Sequence, residues 1–200
     1  MTLSILKKTS LMVAAGATLG ALSMALSEPA HALGFADSYA PANFSLTNTN
    51  ADGFVDTSGA PGSISIAGGD NSTGLSGITR FLTTAAGTGL VSFDWGYSTQ
   101  DPPAVYDPFG YSLNGTFFQL TDSTLEGQSG SASFNVVLGD IFGFEVQTDD
   151  NVFGRGSATI SNFSAPTAIP TPALLPGLIG LGVAALRKRK AEAVEQASEV

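Results

Sequence analysis

The stretch Leu90-Val91-Ser92-Phe93-Asp94-Trp95-Gly96-Tyr97-Ser98-Thr99 decides how this chain folds. Val91, Phe93, Trp95 and Tyr97 alternate with Ser92, Asp94, Gly96 and Ser98. Alternation with a period of two places every large apolar side chain on one face of a strand and every small or polar one on the other. Residues 141–148 repeat the pattern, with Phe142, Phe144 and Val146 against Gly143, Glu145 and Gln147. In 133–138, Phe134, Val136 and Leu138 share a face. Shorter predicted strands are 44–47, 63–67, 78–84, 111–113, 116–120 and 158–163. Asn114-Gly115 separates two of them, the dipeptide a tight hairpin turn demands. Residues 102–108, 127–130 and 149–154 read as loops.

No stretch between the chain's two ends keeps helical periodicity over three turns. Many short strands, each with one apolar face, bury those faces by pairing them. The expectation is therefore a single mainly-β domain over 33–166, a jelly-roll-like sandwich of about eight strands.

Composition narrows the chemistry. The chain has 200 residues, 0 Cys, 17 Asp+Glu, 8 Lys+Arg and a formal net charge of -9. Among the cations only Arg80 and Arg155 lie between the ends, where they are either ion-paired or partner contacts. An acidic surface without a basic stripe repels phosphate backbones, so nucleic acid is excluded as a partner. Absence of cysteine excludes disulfides and thiolate chemistry.

The two ends carry different information. Lys7 and Lys8, an apolar stretch from 11 to 26, the breaker Pro29 and the small-x-small triplet Ala30-His31-Ala32 have the three parts of a secretory signal. Cleavage is expected after Ala32, so residues 1–32 form a signal helix that leaves with the only histidine. At the other end, 167–200, Pro170-Thr171-Pro172-Ala173 precedes an apolar run from 174 to 186. The cluster Arg187-Lys188-Arg189-Lys190 and an acidic tail follow. As a helix, 169–186 spans roughly 27 Å against a bilayer core of about 30 Å. The four cations stay cytoplasmic, which leaves the preceding domain outside.

Proline, a small residue and proline before a short Leu- and Gly-rich helix and a basic cluster resemble the PEP-CTERM protein-sorting signals, in the PTPA-CTERM form. The resemblance implies recognition of Pro170, Thr171, Pro172 and Ala173 by an exosortase-type sorting protease. A transient inner-membrane anchor and delivery to the envelope, surface or extracellular matrix would follow. The chain departs from the pattern in lacking a glutamate between the prolines and in extending to Val200. The segment Phe134–Phe153, with Phe142-Gly143-Phe144 and Asp149-Asp150-Asn151, and the closing Ala158–Ala165 resemble the β-sandwich domains that precede such signals. This second resemblance implies a fold and no activity.

Candidate chemistry within 33–166 is sparse. Without His or Cys, nucleophilic triads and histidine zinc sites are excluded. Glu126, in a Gly/Ser/Thr loop, and Glu145, on the outward side of its strand, are expected to be solvated rather than a glycosidase pair. Asp149, Asp150 and Asn151, and separately Asp101 and Asp107, offer hard oxygen ligands for a structural calcium. The same side chains cap turns, which is the reading preferred for them. Trp95 and Tyr97 fall in phase with Val91 and Phe93 and are expected in the core. Tyr106 and Phe109, in the Pro-rich loop, are the candidate contacts for a ligand such as an extracellular polysaccharide. The chain is expected to be a non-enzymatic exported surface protein. The alternatives are a secreted carbohydrate-binding module and a permanently membrane-anchored protein.

Overall fold

A computed structural model describes residues 30–168. The signal segment before Ala30, the Pro-Thr-Pro-Ala motif, the apolar run and the basic cluster lie outside the described residues. Among the described residues eleven strands form two antiparallel sheets. They are β1 (His31–Leu33), β2 (Ser45–Thr49), β3 (Phe54–Asp56), β4 (Ser63–Ala67), β5 (Gly77–Thr84), β6 (Gly89–Thr99), β7 (Phe109–Leu113), β8 (Thr116–Gln119), β9 (Gly127–Val136), β10 (Ile141–Thr148) and β11 (Gly156–Pro166). One sheet has the order β3-β4-β11-β6-β9, with β1 also on β11, and the other has β2-β5-β10-β7-β8. From β4 to β11 the chain follows 4-11-6-9 in one sheet and 5-10-7-8 in the other. That is the nested double Greek key of an eight-stranded jelly roll, to which β1, β2 and β3 are added at the margins. Among the described residues no helix is long and apolar enough to cross a membrane.

The alternating residues of 90–99 set the core. Val91, Phe93, Trp95 and Tyr97 are all buried, as are Phe142, Phe144 and Val146 across the gap. The sheets meet through aromatic pairs: Phe93 against the edge of Phe144 at 5.1 Å, Trp95 on Phe109 at 5.8 Å, and Tyr111 stacked on Phe134 at 4.2 Å. Such pairs contribute about 0.5–1.5 kcal/mol each beyond the area they bury. The connection between β1 and β2 plugs one end of the sandwich with Phe35, Tyr39 and Phe44. There Tyr39 donates its hydroxyl to the Pro166 carbonyl at 2.6 Å and accepts the Ala86 N–H at 3.0 Å.

Asn114 and Gly115 both take positive φ, 50° and 83°, and close the β7–β8 hairpin with Leu113 opposite Thr116, as the dipeptide requires. Strands β1 and β3 fall outside the predicted set, and two further segments differ from expectation. Residues 127–130 are the start of β9, paired with 95–98 of β6, because an eleven-residue partner stabilises a Gly/Ser segment of low intrinsic strand preference. Leu138 does not share the face of Phe134 and Val136; it lies past the end of β9, in the turn to β10, and is 69 % exposed.

His31, Ala32 and Leu33 pair with Pro166, Ala165 and Ser164, and Ala32 is buried. The expected cleavage bond after Ala32 therefore lies inside a strand, and cutting there removes two of its three register pairs.

Candidate functional site

Strands β5, β10 and β7 present the site on the outer face of the five-stranded sheet. The register places Arg80 beside Glu145, and Glu145 beside Gly110; one step along, Ile78 lies beside Gln147. Glu145 is on the outward side, as its alternation requires, yet it is fully buried. The expectation of a solvated side chain fails because its neighbours close over it. Arg80 donates Nε to Oε2 at 2.7 Å and Nη2 to Oε1 at 3.3 Å, while Gln147 donates Nε2 to Oε1 at 2.8 Å. On the other flank Gly110 has no side chain, and the space its Cβ would take is filled by the Phe117 ring and the Phe118 carbonyl. Glu126 remains exposed in its loop, as expected.

The loop between β6 and β7 brings an aromatic to the edge of this face. Ala104, Asp107 and Phe109 are buried and anchor the loop, which turns Val105 and Tyr106 outward, 49 % and 40 % exposed. Tyr97 donates its hydroxyl to the Asp107 carbonyl at 2.6 Å, and Thr99 donates Oγ1 to Asp107 Oδ2 at 2.8 Å. Burial pushes the Asp107 carboxyl up to about 6, with the nearby Asp101 and Asp150 charges acting in the same direction. The Tyr106 carbonyl accepts the Asp149 N–H at 2.8 Å, and the Pro108 carbonyl accepts the Gln147 N–H at 3.0 Å. An open cleft results, walled by Ile78, Val105, Tyr106, Pro108, Gln147 and Asp149. Its walls Ile78 and Gln147 lie one register step from Arg80 and Glu145, which are not among its lining residues.

Of the two aromatics predicted to contact a ligand, only Tyr106 is available. Phe109 is wholly buried against Trp95 and Tyr97, because it is the first residue of β7 and points between the sheets. Trp95 and Tyr97 are in the core as expected. Arg80, Glu145 and Gln147 were not singled out together in the sequence. The signal available was the single charge of each sign on neighbouring outward positions, which becomes visible only once β5 and β10 are paired.

Of the residues read as turn formers, Asp150 and Asn151 make loop hydrogen bonds with their side chains, whereas the Asp107 carboxyl is buried on the Thr99 hydroxyl. Asp150 accepts the Val152 N–H, Asp122 the Thr124 N–H and Asp56 the Ser58 N–H. Asn151 is buried and donates Nδ2 to the carbonyls of Asn50 and Leu75, tying three loops together, while its Oδ1 has no partner among the described residues. Among the described residues no group of three or more His, Cys, Asp or Glu side chains is arranged to hold a metal ion. Arg155 is ion-paired with Asp52, Nη2 to Oδ2 at 2.7 Å, which holds the Asp52 carboxyl down at about 2. It also lies over the Phe54 ring at 5.8 Å. Both arginines of the domain are thus ion-paired.

No protein-family model and no curated protein matches the chain. Among solved structures it is similar to a family 35 carbohydrate-binding module from Clostridium thermocellum, at 12% identity over 62% of this chain and 92% of that one, TM-score 0.33. It is similar to a Cellvibrio mixtus lichenase 5A module in complex with cellotriose, at 10% identity over 61% and 91%, TM-score 0.34. A family 35 module of Cellvibrio japonicus Abf62 matches at 10% identity over 62% and 98%, TM-score 0.33. Likenesses of this strength assign neither a ligand nor a binding face to this chain.

Proposed function

We propose that the chain is a non-enzymatic, exported β-sandwich that binds polysaccharide on the outer face of its five-stranded sheet. In this reading it is delivered to the cell envelope, surface or extracellular matrix through its C-terminal signal. The observation that carries the binding role is Tyr106, exposed at a cleft also walled by Gln147, whose amide shares the Glu145 carboxylate with Arg80. Sugar rings offer apolar C–H faces that rest on aromatic rings, and hydroxyls that need directed donors and acceptors. Arg80 has five N–H donors and uses two of them on Glu145, so three are left for hydroxyls or water, as is the Gln147 carbonyl oxygen. Because Glu145 already fixes both side chains, little conformational entropy is lost when a ligand engages them. The buried Glu145 carboxylate supports this positioning role better than one in acid–base chemistry.

Glycan-array binding and gel retardation by soluble polysaccharides test the reading. The protein is expected to bind at least one polysaccharide, and Tyr106→Ala or Gln147→Ala to abolish the retardation. A fully folded protein that binds none refutes it.

The sorting role is carried by the Pro170-Thr171-Pro172-Ala173 motif, the apolar run and the basic cluster. Its processing partner would be an exosortase-type protease. Mass spectrometry of the mature C-terminus tests it: loss of the residues after the motif supports sorting. An intact Val200 on membrane-bound protein favours permanent anchoring instead.

A further inference from the structure

Both chain ends leave the sandwich at one pole, side by side. The Ala30 carbonyl accepts the Thr167 N–H at 2.7 Å and the Thr167 hydroxyl at 3.0 Å, immediately beyond the His31–Pro166 pair. Four residues before Ala30 the apolar stretch of the signal ends, and six residues after Ala168 the C-terminal apolar run begins. A span of this length reaches at most about 20 Å. Lys7 and Lys8 lie beyond the first apolar segment and Arg187–Lys190 beyond the second, so the positive-inside rule sends both flanks to the same side of a membrane.

The same pole carries an apolar rim. The turn from β9 to β10 exposes Val137, Leu138 and Ile141 at 57 %, 69 % and 50 %. Leu138 also lines a shallow cleft with Ala86, Gly87, Thr88, Thr167 and Ala168, where the chain departs. Asp140, within that turn, accepts the Val137 N–H at 2.8 Å and the Asn114 amide at 3.0 Å. At the opposite pole the loops joining β2–β3, β4–β5, β6–β7 and β10–β11 gather Asp52, Asp70, Asp101, Asp107, Asp149 and Asp150. The eleven residues of β6 separate the poles by about 34 Å, several Debye lengths at physiological salt.

We propose that the Val137–Leu138–Ile141 rim is a lipid-docking surface: it rests in the bilayer interface beside the inserted C-terminal segment and holds the domain upright, with its aspartate-rich pole outward. The inference rests on the reading that this segment enters the membrane. Three exposed apolar side chains bind lipid only marginally on their own, so the tail supplies the attachment and the rim the orientation.

The full-length chain is reconstituted in phosphatidylcholine vesicles. It has 0 native cysteines, so single labels are placed through Leu138→Cys, Val137→Cys, Leu75→Cys at the far pole and Ala184→Cys in the tail. With an environment-sensitive fluorophore, Leu138→Cys and Val137→Cys are expected to shift to the blue and lose emission to spin-labelled acyl chains, and Leu75→Cys to do neither. A quenched tail label with unquenched rim labels overturns the docking surface alone. An unquenched tail label overturns the membrane reading and the inference with it. Rim labels that shift to the blue without lipid quenching identify a second copy of the chain as the occupant and also overturn it.

Discussion

Replacing Asp107 by Asn isolates the electrostatic cost of the loop that presents Tyr106. Asp107 is 1 % exposed, and burial raises its carboxyl to about 6 from an ordinary unfolded value of about 3.9. A carboxyl raised in this way stabilises the fold below the unfolded value and loses that contribution as pH rises through the folded one. With these two values the contribution is about 1.4 kcal/mol at pH 5 and nearly zero at pH 8. Asn keeps an oxygen for the Thr99 hydroxyl and carries no charge at either pH. Its stability relative to the wild type therefore rises by about 1.4 kcal/mol between pH 5 and pH 8. Titrations elsewhere, including that of the ion-paired Asp52, occur in both proteins and cancel in this difference. Urea unfolding followed by the single tryptophan, Trp95, which is buried in the core, reads both stabilities. A difference that stays flat across this range, or falls with pH, refutes the claim that Asp107 is a desolvated carboxylate at neutral pH.

Three other outcomes follow from the same geometry. Arg80→Met strands the fully buried Glu145 carboxylate and is expected to cost about 3 kcal/mol, the lower end of the range for breaking a buried pair, since Arg80 itself is 28% exposed. A loss under about 1 kcal/mol in urea unfolding contradicts it. Phe109→Ala empties core volume between Trp95 and Tyr97 and is expected to cost about 3–5 kcal/mol, whereas Tyr106→Ala stays within about 0.5 kcal/mol. Equal losses would place the two aromatics in the same environment. Chelation with EDTA is expected to leave the midpoint of thermal unfolding unchanged, because Asp150 and Asn151 already serve loop hydrogen bonds; a marked fall would reveal a calcium site.

Why some of this was legible in the sequence and some was not follows from what each residue reports. Alternation tells which side of a strand a side chain takes, and it held for β6 and β10 because both faces of those strands differ sharply in size and polarity. It failed for β1 and β3, three residues each, which are too short to show a period and are strands only because β11 and β4 offer them an edge. It failed for the first part of β9 because Gly127 to Ser131 carry no apolar side chains to alternate. Phe109 was misplaced for a related reason: Pro108 marks a loop, and nothing local distinguishes the last loop residue from the first strand residue.

The candidate site exposes a deeper limit. Facing outward and being wet are different properties, and alternation encodes only the first. Glu145 faces outward and is dry, because Arg80 comes from a strand 65 residues away, Gly110 leaves a gap in the sheet surface and Phe117 leans into it. None of these conditions is local in sequence. Each is fixed by the register of β5, β10, β7 and β8. A one-residue slip in any pairing would turn the partner to the opposite face and leave the carboxylate buried without its cation. The pair consequently acts as a check on register in addition to orienting Arg80 and Gln147. Replacing Arg80 and Glu145 together by apolar residues should then return stability lost in Arg80→Met while removing glycan retardation. If the double replacement still retards polysaccharide as the wild type does, the oriented polar set is not what the ligand reads.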